Sequence, residues 1–212
     1  MRRYLLLGTL ILLTLSSCLT IVQSLITPTN IFTDDRVKGQ WIDSDWRSIL
    51  VQRFMKSKAK NLFKEIKRSD YTAEDSVFYT KFYVISYSEK NLNYSWFAGI
   101  VKIKDQFYLT LEPYECLNNN GKLEYDLGKE TSTIAKLEWK NNNSLILRFL
   151  DGDYIKQIIL DGNVRIKHEY DPLYGTFVIT ASSWELEQFL EKYGNNESLF
   201  KGGNTIILTR KN

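Results

Sequence analysis

Residues 77–111 restrict the possible folds more than any other stretch of the chain. Residues 77–88 put Tyr79, Tyr83, Ile85 and Tyr87 on one side and Phe78, Phe82 and Val84 on the other. After Glu89-Lys90-Asn91, residues 93–103 alternate Tyr94, Trp96, Ala98 and Ile100 against Phe97, Val101 and Ile103. Lys104-Asp105-Gln106 then reverses the chain into residues 107–111. Alternation of period two across such short polar breaks predicts three neighbouring antiparallel strands, a meander.

The flanks extend this pattern. A fold proper is expected from Val37-Lys38-Gly39-Gln40-Trp41 onward, with Asp43-Ser44-Asp45 as a turn into a strand over residues 49–54. Met55, Ala59, Leu62, Phe63 and Ile66 switch to helical spacing over residues 55–67. Residues 115–129 break the strand pattern around Asn118-Asn119-Asn120-Gly121. Strands are predicted over 132–140 and 144–150, with Leu137, Trp139, Leu145, Leu147 and Phe149 facing one way. Asp151-Gly152-Asp153 opens a short helix, residues 164–169 read as a brief strand, and residues 174–181 as another. Ser182 and Glu185 fit a capping box, Leu186, Phe189, Leu190 and Tyr193 form one apolar stripe, and Gly194 is placed just past the helix end. A last strand covers 205–209. The fold class expected is mainly β: an antiparallel meander β-barrel with short helices, formed as one domain by residues 36–212.

The N-terminus reads differently. Arg2 and Arg3 precede an apolar run from Tyr4 to Leu15, and Leu15-Ser16-Ser17-Cys18 follows. The run is about a dozen residues, too short for a spanning helix of roughly 20, and its layout is that of a secretory signal peptide over residues 1–17. Leu-Ser-Ser-Cys resembles the lipobox of bacterial lipoproteins. That resemblance implies that Cys18 is the lipid-attachment residue and that the protein is held in the cell envelope by acyl chains. Two or three such chains hold durably where one is marginal. Leu19, where an aspartate would favour the inner membrane, points to the outer membrane. Residues 18–35, with Ser, Thr, Gln and Asn among hydrophobics, are expected to be a tether between membrane and body.

Gly39-Gln40-Trp41 resembles the Gly-x-Trp start of lipocalins and related calycin barrels, in which the tryptophan closes the barrel floor. Residues 83–113, 147–151 and 177–193 are also similar to uncharacterised bacterial lipoproteins whose mature part opens on Gly-x-Trp and whose late amphipathic helix precedes a final strand ending near an arginine. The resemblance implies a lipocalin-like β-barrel. It transfers no functional residue beyond Cys18.

Composition removes several classes. The formal charge is +3, and loss of Arg2 and Arg3 with a leader brings the body to +1. Its basic residues are dispersed, so neither a nucleic-acid footprint nor a polybasic lipid patch is expected. With Cys18 acylated, Cys116 is left alone as a small residue beside a turn, which excludes a disulfide framework. His168 is the only histidine, which rules out His-rich metal sites and leaves a Ser-His-Asp constellation possible only through that residue; no metal site and no cofactor are expected. Catalytic candidates are few: the carboxylate pairs Asp34 and Asp35, and Asp151 and Asp153, which suit turns and caps, and His168-Glu169 near Asp171, which suits a surface strand end. Nothing in these patterns argues for an enzyme.

Two functions fit a lipid-anchored barrel. One is binding of a small apolar ligand inside the barrel. The other is a structural or accessory role, with a packed barrel contacting a protein partner of an envelope complex. A void lined by residues such as Tyr83, Trp96 and Trp139 would separate them, because closed barrels can either fill their interior or hold a ligand.

Overall fold

The computed structural model describes residues 19–45, 47–54, 77–89, 92–118, 123–125 and 131–211. Cys18 and the helix expected over residues 55–67 lie outside the described residues. The strands are β1 (Thr20–Ile21), β2 (Ile31–Phe32), β3 (Gly39–Ile42), β4 (Ser48–Arg53), β5 (Tyr83–Glu89), β6 (Leu92–Ile103), β7 (Gln106–Asn118), β8 (Leu123–Tyr125), β9 (Thr133–Asn141), β10 (Ser144–Phe149), β11 (His168–Asp171), β12 (Thr176–Ile179) and β13 (Thr205–Arg210). Two helices, α1 (Gly152–Leu160) and α2 (Ser183–Tyr193), lie between β10 and β13.

Eight of these strands close a barrel. Its order is β3-β4-β5-β6-β7-β9-β10-β13, and β13 returns to pair with β3 through Thr209↔Ile42 and Arg210↔Trp41. Every pairing is antiparallel between strands consecutive around the barrel, an up-and-down meander without an open edge. Closure removes the unpaired N–H and C=O groups that an open sheet would present at its ends. Alternation sorts the side chains. Tyr83, Ala98, Ile100, Leu109, Leu137, Leu145, Leu147 and Leu208 point inward and form the barrel core. Val101, Tyr108 and Ile134 from the same strands point outward into a second core.

That outer core rests on the helices. The capping box forms: Glu185 N–H donates to the Ser182 hydroxyl oxygen, and the Ser182 N–H donates back to the Glu185 carboxylate. Leu186, Phe189 and Leu190 bury the apolar face of α2, and Ile155 and Ile159 bury that of α1. Asp151 caps α1 through the Tyr154 N–H at 3.1 Å and also accepts from the Gly202 N–H at 2.8 Å. Outside the barrel, Glu197 receives Lys136 Nζ at 3.1 Å and Arg148 Nη1 at 2.5 Å, fastening the 3-10 turn Glu197–Leu199 to β9 and β10.

The tether expected over residues 18–35 is corrected. Leu19, Ile21 and Leu25 are buried in the outer core, Leu25 completely. β1 pairs in parallel with β12, and Ser132 N–H donates to the Ile21 carbonyl at 2.7 Å. β2 pairs with β6 through Ile31↔Val101 and Phe32↔Ile100, just beyond the point where β5 stops pairing. The segment is therefore packed into the body instead of spanning a gap.

Smaller corrections follow the same logic of local against tertiary preference. Residues 77–79 are helical, and the strand expected over 77–88 begins only at Tyr83. Phe78, Phe82 and Phe97 stack into a satellite cluster there, which the turn makes possible. β7 runs on to Asn118, so Cys116 lies within a strand, opposite Tyr94 and Tyr125. The strands expected over 164–169 and 174–181 shrink to β11 and β12, which join β1 in a separate three-stranded sheet. Gly194 is the helix C-cap with φ −62°, not a left-handed residue. Glycine is needed there because a Cβ would run into the Tyr108 hydroxyl.

Candidate functional site

The inward faces of the barrel strands line an open-ended cavity of about 300 Å³. Its wall is mainly aliphatic, with Val51 and Ile85 on one side and Leu109, Leu137, Leu145, Leu147 and Leu208 on the other. Interiors of packed proteins rarely leave voids larger than a water molecule. A space of this size is equivalent to roughly ten waters at about 30 Å³ each.

Trp41 lines the cavity. It is fully buried, and its indole N–H donates to the Val37 carbonyl at 2.8 Å. The Arg210 guanidinium lies over its ring at 4.4 Å, and Trp139 packs against it at 6.2 Å between centroids. Arg36 covers Trp139 in turn at 4.6 Å. Tyr83, also buried, lines the cavity wall, and its hydroxyl is satisfied by Asp34, accepting from the amide at 2.9 Å and donating to the carbonyl at 3.1 Å. Burial pushes the Tyr83 phenol above its ordinary pKa, so it stays protonated and neutral.

Polar chemistry is concentrated at Asp43 and Arg47, both on the cavity lining. The Asp43 side chain is 3% exposed, whereas that of Arg47 is 42% exposed, so the cavity meets solvent beside the arginine. Asp43 Oδ1 accepts from the amides of Asp45 and Arg47, each at 2.9 Å, and its Oδ2 accepts from Arg47 Nε at 2.6 Å. Burial opposes the carboxylate charge, but the Arg47 amide and guanidinium, with the Asp45 amide, outweigh it and hold Asp43 below its usual range. The pair is preorganised by the turn, not by long-range packing. Beside it, Tyr87, Tyr94 and Trp96 stack in a ladder, Tyr87 on Tyr94 at 5.2 Å and Tyr87 on Trp96 at 5.9 Å. Tyr87 and Tyr94 are register partners across β5 and β6, which brings the rings face to face.

Of the sequence candidates for a void lining, Tyr83 and Trp96 line the cavity, and Trp139 lies behind Trp41. The catalytic candidates do not converge on it. Asp34 pairs with Arg36 at 2.6 Å, and Asp35 with Lys38 and Arg53, each at 2.7 Å. Asp151 is the helix cap described above, and Asp153 is exposed in the first turn of α1. His168 stacks on Phe177 at 5.3 Å, with Nδ1 2.9 Å from the Ile166 carbonyl, while Asp171 accepts backbone amides of its own turn. Among the described residues, no three His, Cys, Asp or Glu side chains gather as metal ligands would. The Asp43–Arg47 pair was missed at the sequence level, although an Asp and an Arg four apart across a turn are a visible signal. The Tyr87–Tyr94 contact also follows from centring the hairpin on Lys90-Asn91.

Comparison with known proteins returned no match to any family model, curated protein or solved structure.

Proposed function

We propose that this chain is a bacterial lipoprotein whose barrel binds a small apolar or amphipathic ligand. In this reading residues 1–17 are a cleaved signal, Cys18 carries the lipid, and the outer membrane holds the mature protein. The observation that carries the binding half is the 300 Å³ cavity with its aliphatic wall. Ligand pockets span about 300–1,000 Å³ and pair an apolar lining with a few placed polar groups; this one falls at the small end, with Arg47 and Asp43 as its polar groups. A ligand would seat its apolar body against Leu137 and Leu145 and direct a polar end toward the exposed side of Arg47.

Native mass spectrometry of the protein purified from its own host tests the ligand. A small molecule should co-purify and be missing when Leu137→Trp fills the cavity. A host-purified protein that is always ligand-free would overturn the binding reading, and recovery of one dominant crosslinked envelope protein instead would favour an accessory role. The anchor is tested separately: Cys18→Ser should leave the membrane fraction, and a variant that stays there would show that a lipid on Cys18 is not what holds the protein at the membrane.

A further inference from the structure

The most exposed apolar side chains of the described residues sit together at one tip. Leu173 is 90% exposed and Tyr174 84%, both in the turn joining β11 to β12. The turn is rigid. Asp171 Oδ1 accepts from the Leu173 amide at 2.9 Å and the Tyr174 amide at 3.3 Å, Pro172 fixes its own φ, and Gly175 takes φ +68°. Lys156 reaches the Gly175 carbonyl at 3.4 Å and lies over the Tyr170 ring at 4.8 Å, bracing the hairpin from α1. Two large apolar groups are thus held outward by a fixed backbone, with a cation beside them.

The chain's own N-terminus says what covers this tip. β1 pairs with β12 in parallel, Thr20↔Val178 and Ile21↔Ile179. β12 starts at the hairpin turn and runs away from it, so the N-terminal end of β1 is the end beside the turn. Leu19 is already buried, which leaves no slack between position 18 and the folded body.

We infer that the Leu173–Tyr174 tip enters the bilayer surface next to the lipid on Cys18 and fixes how the barrel sits on the membrane. This rests on the anchor reading proposed above. With acyl chains attached directly before the buried Leu19 and two residues ahead of β1, the bilayer lies against the body, and the nearest apolar group to meet it is this hairpin. Tyrosine suits the headgroup level, leucine the acyl boundary below it, and Lys156 the anionic headgroups. The acyl chains supply the affinity; the tip supplies orientation.

The test uses the full chain, processed in a lipoprotein-producing bacterium and reconstituted in vesicles of phosphatidylethanolamine and phosphatidylglycerol. An environment-sensitive fluorophore is placed on Leu173→Cys in a Cys116→Ser background, and on Asn142→Cys as a control. Asn142 is at the far end of β9 from Ser132, which bonds Ile21. Leu173 is so exposed that its replacement leaves the fold intact, and an unchanged thermal melt checks this. The expected result is a blue shift at position 173 with strong quenching by spin-labelled lipid and loss of quenching by aqueous iodide, while position 142 stays aqueous. Protein that floats with the vesicles but keeps position 173 as open to iodide as position 142 overturns the tip alone. Protein that no longer floats overturns the anchor reading, and the tip with it.

Discussion

Arg210 lays its guanidinium 4.4 Å from the centre of the Trp41 ring and is at the same time its register partner across the barrel seam. Its two terminal nitrogens donate to backbone carbonyls of the entering segment, Nη1 to Lys38 at 2.9 Å and Nη2 to Arg36 at 2.5 Å. One side chain near the end of the chain thereby ties together the first barrel strand, the last one, and the 3-10 turn Asp35–Val37 that leads in. Arg210→Ala removes a cation–π contact of about 0.5–2 kcal/mol and leaves two carbonyls without their donor. A net loss of about 2–4 kcal/mol is expected in urea unfolding. Arg210→Lys should recover only part of it, because an ammonium cannot reproduce the planar fork. A variant as stable as the parent would show that the seam holds without this residue.

Gly39 makes a related prediction. It has φ +126°, and a Cβ built there would lie 2.8 Å from Arg210 Nη1. Gly39→Ala therefore meets both backbone strain and a displaced arginine, for about 1–3 kcal/mol. Combined with Arg210→Ala, the clash disappears and only the strain remains. The double variant should thus be less destabilised than the sum of the two single ones, a coupling that a double-mutant cycle reads directly.

The barrel was legible in the sequence because its strands alternate and the β3–β4, β5–β6, β6–β7 and β9–β10 reversals fall at short polar breaks. Tyr83, Ile85 and Tyr87 share the inside, as their spacing predicts, and Leu137 and Trp139 share it with Leu145, Leu147 and Phe149. Two features resisted. β1 and β2 are only two residues long, below the length at which alternation can be recognised, and their polar neighbours Thr20, Ser24 and Asn30 look like linker. Two of those side chains are structural: Asn30 donates to the Leu25 carbonyl at 3.0 Å, and the Ser24 hydroxyl oxygen accepts from the Ile26 amide at 3.3 Å. The cavity resisted for a different reason. Alternation shows which side chains face inward but not whether their volumes sum to fill the space, so Tyr83 and Trp96 could be named as lining candidates without a void being implied.

Asp43 gives the pH dependence. Its folded pKa lies below the ordinary 3.8 of the unfolded chain. The stabilisation from its contacts with Arg47 and the turn amides is therefore fully present above about pH 4 and fades as the pH falls through the lower, folded value. Asp43→Asn keeps the shape but loses the charge-assisted bond and should cost about 1–2 kcal/mol at neutral pH, toward the low end because Arg47 is part exposed. The gap between parent and variant should narrow steadily below pH 4, as followed by chemical denaturation at a series of pH values. A constant gap would mean that the charge on Asp43 does not contribute.

The segment from Leu19 to Phe32 separates a tether from a structural element. A tether could be shortened or made polar without consequence to the barrel. Here Ile21 is 1% exposed and Leu25 0%, packed in the same core as Ile179, Leu186 and Leu190. Ile21→Ala and Leu25→Ala should each cost about 2–5 kcal/mol, the usual range for emptying a buried aliphatic site, whereas Thr29→Ala, on an exposed side chain, should change stability by less than about 0.5 kcal/mol. The loss should appear as one cooperative transition, because the outer core joins β1 and β12 to the outward faces of barrel strands at Val101, Tyr108 and Ile134. If the core variants instead melted early without moving the barrel transition, the two cores would be energetically separate. The N-terminal segment would then be a docked strap and not part of the fold.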